Sequence, residues 1–172
     1  MRLTVLALLL PLALPVAHCS AAEPTKEEVE KYLLQISDSH KELYSTGENF
    51  GKSLGPLLQG NDPDILEVYR AYRQVAMKVA KVRRESKEWT VPDHPTARRL
   101  SVANEAFMDY QVKAALEWIP SLIEIMEDDT LSLKRRGEKV LESLEQGSAE
   151  ENAVGEKVRD AYSRLAAEFD LE

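Results

Sequence analysis

The sequence predicts an all-α protein, a four- or five-helix up-and-down bundle that follows a cleaved N-terminal signal peptide. Three observations lead there. Apolar residues recur at alternating steps of three and four along most of the chain, which is the spacing of one helix face. Only 7 Gly and 8 Pro interrupt 172 residues, so long helices are favoured. The most regular of these stripes, over residues 65–82, lacks the alternation of apolar and polar residues that a half-buried strand shows. The 44% hydrophobic and 30% charged composition belongs to a folded domain rather than a disordered one.

Residues 1–22 read as the leader. Met1-Arg2 gives a positive start, and Leu3 to Val16 is an apolar run too short to span a bilayer. Ser20-Ala21-Ala22 fits a cleavage site before Glu23. Residues 23–172 then form one helical domain. Cys19, the single cysteine, stands where a bacterial lipoprotein carries its modified cysteine and is the candidate lipidation site. His18 replaces the small residue expected before it, so removal with the leader is the preferred reading. A chain cut after Ala22 has neither disulfide nor thiol chemistry.

The first helix opens at Thr25, three residues before Glu28, the spacing of a capping box. Val29, Leu33, Ile36, His40 and Leu43 form its stripe. Residues 46–61 are rich in Gly, Asn and Ser and are expected to leave the helix, with only a short turn around Leu54, Leu57 and Leu58. Asp62-Pro63 opens the second helix, whose stripe of Ile65, Val68, Tyr72, Val75, Val79 and Val82 has the heptad rhythm and extends to about Trp89. A third carries Leu100, Ala103, Phe107, Ala114, Trp118, Leu122 and Ile125, with a kink expected at Pro120. A fourth, over about 131–146, is expected to stop at Gly147. A fifth begins at Ser148 with Glu151 as a second capping box, and carries Val154, Val158, Tyr162, Leu165 and Phe169.

Charge and motif exclude several functions. Removing residues 1–22, which hold Arg2 and no acid, leaves 21 basic against 30 acidic residues. Nucleic acid needs a basic surface, so it is not an expected partner, and no transmembrane segment is expected in the mature chain. Gly47 to Ser53 looks like a phosphate loop but has three residues, not four, between its glycines and follows no strand. No Glu-x-x-His pair or Cys/His cluster is present, so no cofactor and no metal is expected; His40, on an apolar stripe, is the one weak metal candidate, with Glu105 or Asp109 as the carboxylates it would meet. No nucleophile sits beside a histidine in a recognisable setting, so the chain is expected not to be an enzyme; one with an unrecognised site is the second alternative.

Two features carry binding hypotheses. Arg83 and Arg84 at the end of the second helix, with Trp89, His94, Arg98 and Arg99, would converge on one loop if the second and third helices pack antiparallel. That basic corner suits a protein partner or a small anionic ligand. Tyr69, Tyr72, Tyr110, Trp118 and Tyr162 lie on or beside apolar stripes and either join the core or line a pocket between helices; Tyr44, His40 and Gln111 add polar atoms nearby. The sequence therefore reads as an exported, soluble, non-catalytic binding or structural module of a bacterial envelope, periplasmic, extracellular or held as a lipoprotein, with homo-oligomerisation open to it. A small-ligand or metal carrier within the bundle core is the alternative.

Overall fold

A computed structural model describes residues 23–171. Residues 1–22, the expected leader with Cys19, lie outside the described residues. Among the described residues the chain is helical throughout its regular structure: α1 (Lys26–Leu58), α2 (Ile65–Ser86), α3 (Pro95–Lys113), a π turn (Ala114–Trp118), α4 (Ile119–Glu127) and α5 (Leu133–Glu168). No helix among these residues is long and apolar enough to cross a membrane.

The path is up, down, up, down. Lys26 Nζ at the start of α1 donates to the Asp170 carbonyl at the end of α5 (2.7 Å). Tyr69 on the first turns of α2 donates to Glu127 at the end of α4 (3.0 Å). Thr96 at the start of α3 donates to Glu168 (3.0 Å). Each bond joins the beginning of one rod to the end of its neighbour, which is antiparallel packing.

Local chemistry fixes the ends. Thr25 and Glu28 form the capping box: the Glu28 amide donates to Thr25 Oγ1 (3.3 Å) and the Thr25 amide to Glu28 Oε2 (2.8 Å). The second helix is capped by Asp64 rather than Asp62, its carboxylate accepting from Leu66 and Glu67. That helix ends at Ser86, short of Trp89. His94 Nδ1 caps α3 ahead of Pro95, and Ser132 caps α5.

Two expected breaks are absent. Residues 46–58 stay in α1, because Phe50, Leu54 and Leu57 continue the buried stripe of Leu43. Thr46 and Ser53 hydroxyls turn back onto the Glu42 and Phe50 carbonyls, so they do not compete for the chain (2.8 and 2.7 Å). The stop comes at Gly60, whose φ of +81 and amide bond to the Leu57 carbonyl, with Asn61 bonding Pro56, make a Schellman end. Gly147 likewise does not end a helix. The fourth and fifth expected helices are the single 36-residue α5, and Ser148 and Glu151 lie inside it. At Gly147 the Trp118 ring lies where a side chain would be: a Cβ would stand 2.4 Å from the ring. Tyr110 also donates to the Gly147 carbonyl (2.7 Å). These contacts offset the ~1 kcal/mol that glycine costs a helix interior.

The core is sealed at both ends. Val29, Leu33, Val82, Leu100 and Leu165 close one, and Leu54, Leu57, Val68, Leu122, Met126 and Val140 the other; each is at most 3% exposed. Between them, the expected kink at Pro120 takes the form of the π turn. Proline has no N–H to give back, and the widened turn absorbs the missing bond.

The glycines separate cleanly. A Cβ at Gly47 or Gly51 meets nothing within 4 Å. Gly47→Ala and Gly51→Ala should each add about 0.5–1 kcal/mol to stability in denaturant titrations. Gly147→Ala should cost about 1–3 kcal/mol by overpacking, and Trp118→Leu should recover part of that loss in the double variant.

Candidate functional site

The four rods do not seal along the middle of the bundle. A cleft of about 710 Å³ lies there, bounded by all of them. Its buried wall comes from Val75 and Val79 on α2 and from Ala114, Ala115 and Ile119 at the π turn. Its exposed rim comes from α1 and α5, through Tyr44, Gly47, Gly51 and Ser148, so the mouth opens between these two helices. A smaller hollow of about 260 Å³ shares Tyr110, Ala114 and Trp118 with it as a common wall. Small residues meet at this level, Gly47 and Gly51 from α1, Ala114 and Ala115 from the π turn and Ser148 from α5, facing Val75 and Val79 of α2.

A few polar groups stand on this apolar surface. Gln111 Nε2 donates to Glu151 Oε1 (2.7 Å), which fixes that carboxylate at the mouth. Trp118 Nε1 donates to Ser143 (2.9 Å). Burial pushes the Tyr110 phenol up to about 12, and the Glu151 and Glu150 carboxylates add to the rise. The Tyr44 phenol is raised in the same way, first by burial and then by Glu151, with Arg159 opposing. Of the five aromatics on the predicted stripes, Tyr110 and Trp118 line the cleft. Tyr72 and Tyr162 pack against the core, and Tyr69 is bound to Glu127.

His40 does not meet Glu105 or Asp109. It reaches across the bundle diagonal to Asn104, Nε2–H donating to Oδ1 (2.9 Å), and stacks on Phe107 with ring centroids 4.3 Å apart. Glu105 and Asp109 turn toward α2 instead, where Arg83 holds them at 3.5 and 2.7 Å. Among the described residues no group of three or more His, Cys, Asp or Glu is placed to hold a metal. Burial lowers the His40 pKa below its ordinary 6.5, the bond to Asn104 opposing it.

The basic corner is partly assembled. Arg83 and Trp89 share a cleft of about 200 Å³ with Lys87 and Glu105. Arg83 is engaged by the two carboxylates of α3, and Arg98 by Asp93. His94 is spent on the cap of α3, with Glu168 3.6 Å away and Phe169 against its ring. Arg84 and Arg99 are exposed and make no ion pair among the described residues. The cluster therefore divides between the α2–α3 face and the end of α5.

Sequence reasoning named Tyr110, Trp118, Tyr44 and Gln111 and offered a pocket between helices as the alternative to the core for the aromatics, but did not locate the cleft they line. The missing signal was the coincidence of Gly47, Gly51, Ala114, Ala115 and Ser148 at one level, visible only once the helices are paired. Comparison with family models, with curated proteins and with solved structures finds no match.

His40 makes a pH prediction. The unfolded chain binds a proton near pH 6.5 that the folded chain resists, so stability falls as pH drops below about 6.5, by up to roughly 1.4 kcal/mol per pH unit. His40→Gln should remove that component. Urea titrations of both proteins between about pH 7.5 and 5.5 would measure it; identical slopes for the two would contradict the assignment.

Proposed function

We propose that this chain is an exported, non-catalytic binding protein that carries a small, largely apolar molecule in the cleft between its helices. One observation carries the reading: a cleft of about 710 Å³ with an apolar wall and a few fixed polar groups, in a bundle sealed above and below it. Ligand sites are concave and mostly apolar, with sparse polar groups that orient the guest, and they occur between the helices of bundles. The π turn in its wall supports the same reading, since such turns occur frequently at functional sites.

A neutral apolar dye such as N-phenyl-1-naphthylamine should bind saturably, one molecule per chain. Gly51→Leu has room for its first carbon and extends the rest along the rim, so it should weaken binding by about tenfold while leaving the fold intact by circular dichroism. Equal binding by both proteins would count against the cleft. The basic corner remains the second reading, for a protein or small anionic partner, on the strength of exposed Arg84 and Arg99.

Export rests on the leader read in residues 1–22, and it places the protein in a bacterial envelope or outside the cell. Mass spectrometry of the chain expressed from its full sequence in a bacterial host should find it outside the cytoplasm and starting at Glu23. A cytoplasmic chain that keeps Met1-Arg2 would overturn this, and a lipid on Cys19 would replace the soluble form with an anchored one.

A further inference from the structure

We propose that the guest of the cleft is a small organic cation, an apolar body bearing an ammonium or similarly charged head. The inference rests on the cleft being a ligand site and names the chemistry of what enters it. Two features lead to it. The first is what the polar groups have left to offer. Tyr110 already donates its hydroxyl to the Gly147 carbonyl, Trp118 donates its indole N–H to Ser143, and Gln111 gives an amide hydrogen to Glu151. An anionic head needs donors; the Tyr110 hydroxyl and the Trp118 N–H are engaged, and the second Gln111 amide hydrogen lies beside the Glu151 carboxylate, which repels an anion. What the same groups still present is aromatic faces and a carboxylate, which attract a cation.

The second feature is charge. Glu151 at the mouth is half-buried and held in place by Gln111, whereas Glu48 on the opposite rim is paired with Lys52 at 2.8 Å. The adjoining hollow adds Glu117 and Glu150 against Lys113. Two cations oppose this: Lys41 on the rim of the cleft leans toward Asp38 (3.4 Å), and Arg159, next to Tyr44, leans toward Glu156 (3.9 Å). Burial is the main cause of the upward shift of the Tyr110 phenol, and the Glu151 and Glu150 carboxylates add to it from the same side as the proposed head group. A cationic head at Glu151 would lie among Tyr44, Tyr110 and Trp118, with its apolar body against Val75, Val79 and the alanines of the π turn.

The test is calorimetric titration of the unaltered chain with three probes of one length: octylammonium, octanol and octanoate. Octylammonium should bind at least tenfold more tightly than either of the others. Glu151→Gln should reduce that preference to threefold or less. If octylammonium does not bind, or binds no more tightly than octanol or octanoate, the cation assignment fails, and binding of the neutral dye then leaves the cleft as a site for apolar molecules. If the dye does not bind either, the cleft reading fails with it.

Discussion

The middle of this bundle is organised by a proline that cannot donate a hydrogen bond. Pro120 sits within a rod that the apolar pattern makes continuous from Pro95 to Glu127, and the chain keeps the rod by widening the preceding turn. The wider turn determines where its side chains emerge. Trp118 is directed at α5, where glycine at 147 is the one residue that leaves room for an indole, and Tyr110, two turns earlier, reaches the carbonyl of the same glycine. The inside of the turn is lined by Ala114 and Ala115, too small to fill the space before α1 and α2. One missing N–H is thus tied to the uninterrupted length of α5 and to the cleft.

This coupling explains what could be read from the sequence. The capping box at Thr25 and Glu28 was legible because its partners are three residues apart and answer to one another alone. The stripe of α2 was legible because a heptad repeat is local. Gly147 was not, since the reason it stays helical lies in Trp118 on another rod, and glycine read alone is a stop signal. Residues 46–58 were missed for the same kind of reason. Their composition favours a loop, yet Phe50, Leu54 and Leu57 bury against partners from other helices, and packing of this kind outweighs a few tenths to about 1 kcal/mol of propensity per residue.

The candidate site was legible only as parts. Tyr110 and Trp118 stood out as aromatics beside a stripe, and His40 as a histidine on one. Which role each takes depends on the diagonal neighbours of the bundle. His40 finds Asn104 and Phe107 and becomes part of the interior, kept neutral by burial. Trp118 finds a glycine and becomes a wall. The charged residues of the α2–α3 corner are sorted the same way, because Arg83 looks across to Asp109 and Glu105, the acids that the sequence had offered to His40.

The dry ends give the cleft its physical standing. A gap in a loosely packed bundle would collapse around its own side chains, and binding there would have to order them afresh. Here Leu33, Val82 and Leu100 on one side and Leu54, Leu122 and Met126 on the other are almost wholly withdrawn from water, so the helices that frame the cleft are held apart by well-packed layers at both ends. Nor can glycine or alanine close it by changing rotamer. A cavity kept open in this way needs little ordering on binding, so more of the contact free energy remains as affinity. The small residues at the centre weaken the bundle's own packing at that level. Their arrangement makes sense if an apolar guest supplies the missing contacts.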